Sequence, residues 1–251
     1  AGFATTSNLA AGERYGVPTA GTAAHAFTLA HDSEDAAFDA QLRTHGTGTT
    51  LLVDTYDTEQ GIATAVEVAR RHGVSGPGAI RIDSGDLPSA VAAARAQLDS
   101  LGAHDTKIVV TSDLDEYLIA ELAVSPADSY GVGTRVATGS GHPTAGFVYK
   151  LVQLGDRQVA KTAEGKANTG GTKTPYRYPD GREAFRTDGV IPEGANALHV
   201  PLVRAGEVVH TPTLTEIREY AARSLAALPP AATALTDGPP AVTAEPEGDH
   251  A

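Results

Sequence analysis

Residues 79–86 read AIRIDSGD, an apolar run that ends in polar residues and glycine, and an Ala-rich stretch at 88–101 follows it. Apolar runs without clean alternation are typical of strands buried on both faces of a parallel sheet. Similar runs occur on either side of this one: TTLLVDTYD at 49–57, KIVVTSD at 107–113 and DSYGVGT at 128–134. Because helical segments separate these runs, the pattern predicts consecutive βα units.

The number of these units bears on the type of fold. We expect an earlier unit at 17–25 (VPTAGTAAH), with a helix that extends to about Leu42. Four or five βα units fit either a doubly wound sheet or a (β/α)₈ barrel. The chain opens at Ala1 without a methionine, so we expect a piece of a longer protein. A piece with half the strands of a barrel favours the barrel, and we predict an α/β fold with a partial, irregular TIM-like barrel over 1–146.

The pattern changes after Gly146. Two alternating stretches predict hairpins, one at 147–161 with its turn at Gly155-Asp156 and one at 198–210 with its turn near Ala205-Gly206. A helix is expected at 214–228, capped by Thr213 or Thr215. We therefore predict a smaller mixed-β region over 147–228. Residues 229–251 are rich in Pro, Ala and acids and contain no aromatic residue, which predicts a disordered tail.

Composition excludes several classes of function. Lys and Arg number 19 and Asp and Glu number 31, so the formal net charge is −12. A net acidic chain argues against a general nucleic-acid or membrane-surface binder. The chain has no cysteine, which excludes disulfides, thiolate metal sites and cysteine nucleophiles. No apolar run approaches the roughly 18 residues of a membrane helix, and we expect a cytoplasmic protein.

Acidic side chains follow the predicted strands. Asp57, Asp86 and Asp115 each precede a helical segment and are equally well explained as helix N-caps. The deeper set is the better functional candidate: Asp54, Asp83 and Asp113. Carboxylates that share one rim repel each other unless a cation, a ribose diol or a basic group lies among them. Magnesium bound with diphosphate oxygens would fit such a rim, although no individual ligand can be assigned.

Arg81 and Asp83 lie two residues apart and therefore on the same face of their strand. The pair is interpreted equally well as a functional pair or as a satisfied internal ion pair. The glycine-rich segment Gly131-Val132-Gly133-Thr134 is a candidate phosphate loop, because glycines let the backbone approach an anion closely. A plain tight turn is the more common explanation of such a segment. Four lysines suggest polyphosphate contacts or else a solvated hairpin surface: Lys150, Lys161, Lys166 and Lys173.

His25 stands out among the nine histidines because it follows a predicted strand end. Most single histidines are structural or lie on the surface, and the position of His25 at the rim is what favours a role. No His-x-x-x-His pair is present, which argues against a histidine metal site. Gly139-Ser140-Gly141 lacks the spacing of a nucleophile elbow.

Six blocks, in order, carry a resemblance to a known family: Gly2-Phe3 with Thr6-Ser7-Asn8, GTAAH ending at His25, LLVDTYD, IRIDSGD, VTSDLDEY, and YGVGTRVATGSGHPTAGFVYKLV. Together they resemble the nicotinate phosphoribosyltransferase family over residues 1–173, and more weakly to 228. The resemblance implies a type II phosphoribosyltransferase that joins nicotinate to phosphoribosyl pyrophosphate in NAD salvage, with coupled ATP hydrolysis and Mg²⁺. It also implies a cytoplasmic homodimer of the full-length protein.

The resemblance assigns roles to individual residues. His25 is implied to be catalytic and to be phosphorylated by ATP, and Asp83 and Asp113 are implied to be the other catalytic residues. Residues implied to bind substrate are Arg81, Ser84, Ser112, Gly131, Gly133 and Thr134, the last three at the 5′-phosphate. The lysines from Lys150 onward are implied to contact ATP or pyrophosphate. The sequence departs from the family at Ala26, where a hydroxyl residue is expected, and it lacks the N-terminal Arg-rich loop expected to bind the pyridine carboxylate.

Three other functions remain open. A nicotinamide-using phosphoribosyltransferase would share the barrel and the histidine, although TSDLDEY favours the nicotinate enzyme. A fragment without turnover could bind phosphoribosyl ligands. An unrelated barrel enzyme such as an aldolase is the third, but no lysine follows a predicted strand between 17 and 134 to form a Schiff base.

Overall fold

The computed structural model describes residues 2–162 and 168–248. The chain divides into two compact units. One unit combines Ala1–Thr19, which contains helix α1 (Leu9–Tyr15), with Gly146–Ala251. The other is Ala20–Ala145. The sequence analysis placed residues 1–19 with the barrel region, whereas the structure groups them with the later part of the chain.

The unit Ala20–Ala145 is built on a parallel four-stranded sheet in the order β1-β2-β3-β4. Its strands are β1 (Thr50–Leu52), β2 (Ala79–Ile82), β3 (Lys107–Val110) and β4 (Ser129–Tyr130). Its helices are α2 (His25–Leu29), α3 (Glu34–His45), α4 (Thr58–Arg71), α5 (Leu87–Ser100), α6 (Glu116–Leu122) and α7 (Thr134–Thr138). The βα alternation predicted from residue 49 onward is therefore present.

The sheet is buried because its strands carry apolar residues on both faces. Leu51, Ile80 and Ile108 are completely buried, and the neighbouring strand positions pack with them against α3, α4 and α5. Helix α4 approaches the sheet at Gly61, where a Cβ atom would lie 2.1 Å from the Val53 carbonyl oxygen. Only glycine allows this separation, which sets how deeply α4 packs on the sheet.

One expectation for this region is corrected by the structure. Residues 17–25 form no strand, and Thr19 makes only an isolated bridge with Thr6. Pro18 has no N–H to donate, and the small side chains that follow it offer little apolar surface to bury in a sheet. The described residues form an open sheet in which β1 and β4 each pair on one side only, and the partial barrel stays a prediction. Four strands are too few to close a barrel, which needs about eight.

The three predicted caps occupy N-cap positions. Asp57 accepts a hydrogen bond from the Gln60 backbone N–H at 2.8 Å, and Asp115 accepts from two backbone N–H groups of α6. Asp86 precedes α5 and accepts from the Ser89 hydroxyl rather than from a backbone N–H. Asp57 and Asp115 are therefore accounted for by helix capping, whereas Asp86 occupies the N-cap position without a hydrogen bond to the helix backbone.

The second unit contains the two predicted hairpins and a four-stranded sheet. The hairpins are β5 (Gln153–Leu154) with β6 (Arg157–Gln158), and β10 (Val203–Arg204) with β11 (Glu207–Val208). The sheet has the order β12-β8-β7-β9, from β7 (Thr174–Arg177), β8 (Glu183–Arg186), β9 (Asn196–Ala197) and β12 (Ala244–Pro246). Helix α8 (Leu214–Ala226) begins with a capping box of Thr213 and Glu216.

Strand β12 corrects the prediction of a wholly disordered tail. Ala244–Pro246 pairs in parallel with β8, and the Glu247 carboxylate accepts hydrogen bonds from the hydroxyls of Tyr176 and Tyr178 at 2.8 Å each. Arg182 also pairs with Glu247 and stacks over the Tyr178 ring. A segment of low apolar content is ordered here because the open edge of β8 and the donors around Glu247 provide partners for it.

No helix within 2–162 or 168–248 is long and apolar enough to cross a membrane.

Candidate functional site

Arg81, on β2, is held by three neighbours in the unit Ala20–Ala145. Its Nε donates to the Thr111 hydroxyl at 2.8 Å, and its Nη1 donates to the Thr22 hydroxyl at 2.7 Å. Its Nη2 lies 3.0 Å from Asp83 Oδ1. Three donors of the guanidinium are therefore used by three different loops, which fixes its plane.

Asp83 follows β2 directly and is the partner of Arg81. The Thr111 hydroxyl donates to Asp83 Oδ1, so this oxygen receives both a hydroxyl and a guanidinium. Partial burial on its own would raise the pKa of Asp83, but the hydrogen bonds from Thr111 and Arg81 and the charges of Arg81 and His25 outweigh it and lower the pKa below its usual value. Asp83 is therefore a carboxylate at neutral pH.

His25 lies beside this pair at the first residue of α2. Its Nδ1 is 3.2 Å from the Thr55 hydroxyl, and its Nε2 is 3.8 Å from Asp83 Oδ2. The imidazole is 41% exposed, so one hydrogen bond orients it while solvent or a ligand can still reach it. The expected strand before His25 is absent, but the residue still meets the ends of β1 and β2.

Asp54 supports the loop that carries Asp83. Its Oδ2 accepts from the Asp83 backbone N–H at 2.8 Å and from the Ser84 hydroxyl at 2.7 Å. Its Oδ1 is buried and has no hydrogen-bond partner, and the same is true of Glu34 Oε1. Burial, together with the negative charges of Asp54 and Asp57, raises the pKa of Glu34 to about 7. Asp54 and Glu34 therefore each have one buried carboxylate oxygen without a hydrogen-bond partner.

Ser112 and Asp113, which follow β3, have a strained backbone. Their φ angles are +109° and +47°, in a region that non-glycine residues rarely adopt. Such outliers tend to persist at binding sites because the surrounding structure over-determines them. Both side chains are exposed at the strand end, and their roles in the site stay predictions.

The predicted phosphate loop begins next to Thr111. A Cβ atom at Gly131 would lie 2.5 Å from the Thr111 γ-methyl, so Gly131 packs directly on that side chain. A Cβ atom at Gly133 would meet nothing within 4 Å, so the backbone there is open. Thr134 is exposed and opens α7. The structure thus brings Gly131 to the cluster, while Gly133 and Thr134 continue from it along the chain.

Sequence reasoning missed three residues of this arrangement: Thr55, Thr111 and Glu34. Thr55 and Thr111 lie within the quoted blocks LLVDTYD and VTSDLDEY, next to the aspartates that drew attention instead. The available signal was their position, since Thr111 directly follows β3 and Thr55 lies in the loop after β1. Glu34 opens a helix and has the pattern of an ordinary first-turn acid, so nothing in the sequence distinguishes it.

The donor set does not make a metal site by itself. In the described parts of the chain, no three acidic or histidine side chains are grouped so that they could hold a metal ion. Asp83, the central carboxylate, is already bonded to Arg81 and Thr111. A resident Mg²⁺ therefore does not fit these residues, and the ion would have to arrive bound to phosphate oxygens of a ligand.

The predicted lysine cluster belongs to the other unit. Lys173 Nζ donates to the Gly171 carbonyl at 3.2 Å and also to that of Thr169. Lys150 and Lys161 lie in the same unit, and Lys166 falls outside the described residues. Nucleotide contacts by these lysines stay a prediction.

Comparison with known proteins gives a consistent set of relatives. The chain is 47% identical to nicotinate phosphoribosyltransferase pncB1 of Mycobacterium tuberculosis, over 96% of this chain and 57% of that protein. It is 40% identical to pncB2 of the same organism, over 94% of this chain and 53% of the relative. The Bacillus subtilis nicotinate phosphoribosyltransferase is 41% identical over 70% of this chain and 37% of its own length. No family model matches the chain.

A solved structure is similar in fold. The crystal structure of nicotinate-nucleotide pyrophosphorylase from Pyrococcus furiosus matches with a TM-score of 0.75 and 26% identity, over 88% of this chain and 58% of that one. The chain therefore spans about half the length of the relatives it matches.

Proposed function

Because this chain is homologous over most of its length to nicotinate phosphoribosyltransferases, we propose that it is the catalytic, C-terminal portion of such an enzyme, acting in NAD salvage. The substrates are nicotinate and phosphoribosyl pyrophosphate. The observation that carries the proposal is the convergence of His25, Arg81 and Asp83 at the carboxyl end of β2 in a parallel sheet, where α/β proteins bind ligands.

In the proposed reaction, the pyridine nitrogen of nicotinate forms a bond to C1 of the ribose as the bond from C1 to pyrophosphate breaks. The products are nicotinate mononucleotide and pyrophosphate. Positive charge develops on the ribose ring as the leaving group departs, and the ionised carboxylate of Asp83 is suited to stabilise it. Arg81 is suited to a ligand hydroxyl or carboxylate, and its orientation is set before any ligand arrives.

ATP is proposed as a co-substrate that transfers its γ-phosphoryl group to the imidazole of His25, with ADP leaving and water later hydrolysing the phosphohistidine. The exposure of His25 and its hydrogen bond to Thr55 support this role. Mg²⁺ enters in this proposal as part of the diphosphate ligand. The 5′-phosphate is assigned to the open backbone at Gly133 and to Thr134.

Three finer features rest on the resemblance alone: a larger irregular barrel that includes this sheet, a homodimer and a cytoplasmic location. The unpaired edges of β1 and β4 agree with a sheet that continues into further strands. The complete gene product would test the barrel directly, since new strands should pair at those two edges.

The test of the function is a direct assay of the complete gene product with phosphoribosyl pyrophosphate, ATP and either nicotinate or nicotinamide. We expect nicotinate mononucleotide with nicotinate and much slower turnover with nicotinamide. Faster turnover with nicotinamide would move the protein to the nicotinamide-using relatives. Binding of phosphoribosyl pyrophosphate without product from either base would identify a binding protein instead.

Asp83→Ala separates catalysis from a purely structural ion pair. A functional Asp83 predicts a loss of about two or more orders of magnitude in kcat, as for a group that contacts developing charge, with a small change in Tm. A large fall in Tm with little change in kcat would assign the Arg81–Asp83 pair to stability alone.

A further inference from the structure

In the unit Ala20–Ala145, Thr111 contacts two candidate functional residues, Arg81 and Asp83, and directly precedes two others. Its hydroxyl oxygen accepts a hydrogen bond from Arg81 Nε at 2.8 Å and donates its single proton to Asp83 Oδ1. Its backbone N–H donates to the Ile82 carbonyl at 3.0 Å, so its main chain is fixed to β2. The next two residues, Ser112 and Asp113, are the strained pair.

We propose that Thr111 is a positioning residue, whose hydroxyl orients Arg81 and Asp83 together and whose methyl group requires glycine at position 131. The inference rests on the proposed function, because it assigns to Thr111 the alignment of two groups that act on the phosphoribosyl ligand. Thr111 itself contacts no ligand in this role.

The hydroxyl is suited to this task because it is both acceptor and donor. Arg81 Nε needs an acceptor and the Asp83 carboxylate needs a donor, and a hydroxyl supplies both from a single oxygen atom. Valine has the same shape but neither property. Without the Thr111 hydroxyl, Arg81 and Asp83 keep their mutual contact but lose the hydrogen bonds that hold them at the end of β3.

The γ-methyl group of Thr111 explains why position 131 is a glycine, which a role in phosphate binding alone does not. The φ angle of Gly131 is not in the left-handed region, so its backbone does not demand glycine. Glycine is required there for steric reasons, since a Cβ atom would lie 2.5 Å from the Thr111 γ-methyl. Threonine has few allowed χ1 rotamers, and rotation to relieve this contact would also move the hydroxyl away from Arg81 and Asp83.

The experiment compares Thr111→Val and Thr111→Ser in the complete gene product, with kcat, KM for phosphoribosyl pyrophosphate and Tm measured for each. We expect Thr111→Val to lower kcat/KM by about tenfold to a hundredfold, the equivalent of one lost hydrogen bond to a charged group. Thr111→Ser keeps the hydroxyl and should retain most of the wild-type rate. Equal rates for the two variants, or losses that follow Tm instead of the hydroxyl, would overturn the positioning role.

The methyl group is tested by rescue. Gly131→Ala alone should reduce turnover because it displaces Thr111, and Gly131→Ala with Thr111→Ser should recover much of that loss because serine has no γ-methyl. Additive losses in the double variant would overturn the steric explanation. The requirement for glycine at position 131 would then be assigned to phosphate binding.

The two hypotheses fail differently. A wild-type protein without phosphoribosyl transfer overturns the proposed function, and the role of Thr111 falls with it. An active wild type with equivalent valine and serine variants overturns only the role of Thr111.

Discussion

His25 Nε2 lies 3.8 Å from Asp83 Oδ2. A phosphoryl group on His25 would therefore introduce negative charge within a few ångströms of Asp83 and of its partner Arg81. Because charges at such separations interact strongly in a partly buried site, phosphorylation would change how this cluster binds a pyrophosphate. The geometry thus offers a direct physical route by which ATP could alter substrate affinity.

His25→Asn tests that route. The variant should abolish ATP stimulation in the complete gene product, because asparagine cannot be phosphorylated at an imidazole nitrogen. Transfer without ATP should stay within about tenfold of wild type, since Arg81 and Asp83 remain in place. Steady-state assays with and without ATP provide the measurement. His104→Asn is the matched control, because His104 is an exposed histidine that pairs with Asp99. Retained ATP coupling in His25→Asn would rule out the phosphohistidine.

Glu34 predicts a stability that falls as the pH rises. Its pKa is raised from 4.5 to about 7 in the folded protein, so the folded state holds a proton that the unfolded state releases between those two pH values. Folding is therefore disfavoured by this group above pH 7 and is unaffected by it below pH 4.5. Glu34→Gln should raise the free energy of unfolding by about 1 kcal/mol at pH 8, after allowance for solvent screening, and by less at pH 5.

Urea denaturation at the two pH values measures this difference. Glu59→Gln is the control, because Glu59 is also in the first turn of a helix but is exposed. A gain for Glu34→Gln that is the same at pH 5 and pH 8 would contradict the explanation by a raised pKa.

The strained backbone at Ser112 predicts that a glycine substitution raises stability and lowers activity. Its φ of +109° is costly for serine and free for glycine. Relief of strain is worth about 1–3 kcal/mol and the added freedom of glycine in the unfolded chain costs about 0.5–1 kcal/mol, so Ser112→Gly should be more stable by about 1 kcal/mol. Its kcat/KM should fall if the serine hydroxyl contacts the ribose.

Chemical denaturation and steady-state kinetics together test this prediction. Ala205→Gly is the control, since Ala205 has a φ of +49° in the turn between β10 and β11 and has no predicted role in the site. A variant at position 112 that is both more stable and fully active would remove Ser112 from the set of binding residues.

Glu247 predicts acid sensitivity of the second unit. The hydrogen bond from Arg182, followed by those from Tyr178 and Tyr176, lowers the pKa of Glu247 to about 2. Its stabilisation is therefore complete above pH 4.5, the unfolded value, and is lost as the pH falls towards 2. Glu247→Gln should lower Tm by several degrees at pH 7, with a smaller difference in more acidic buffer.

Glu245→Gln is the control for loss of charge in the tail, because Glu245 lies in β12 and is exposed. If the two variants unfold at the same temperature, the contacts of Glu247 do not hold the tail on β8.

The local elements and the candidate site residues follow from the amino-acid sequence alone. Apolar runs from residue 49 onward identified the four parallel strands, because burial on both faces leaves an unbroken hydrophobic pattern. Turn and cap chemistry located the hairpins at Gly155 and Ala205 and the caps of α4 and α6, because these depend on contacts within a few residues. The sequence pattern wrongly predicted a strand at 17–25, where small residues and proline resemble the residues at a strand end.

The contacts that these residues make depend on the tertiary fold. The hydrogen bonds of Arg81 with Thr22 and Thr111 join positions far apart in the chain, and the order of β12 depends on an edge of β8 that no local pattern reveals. The raised pKa of Glu34 likewise depends on which other acids are folded next to it. Local propensity acts over a few residues, whereas burial, ion pairing and close approach are set by neighbours that only folding brings together.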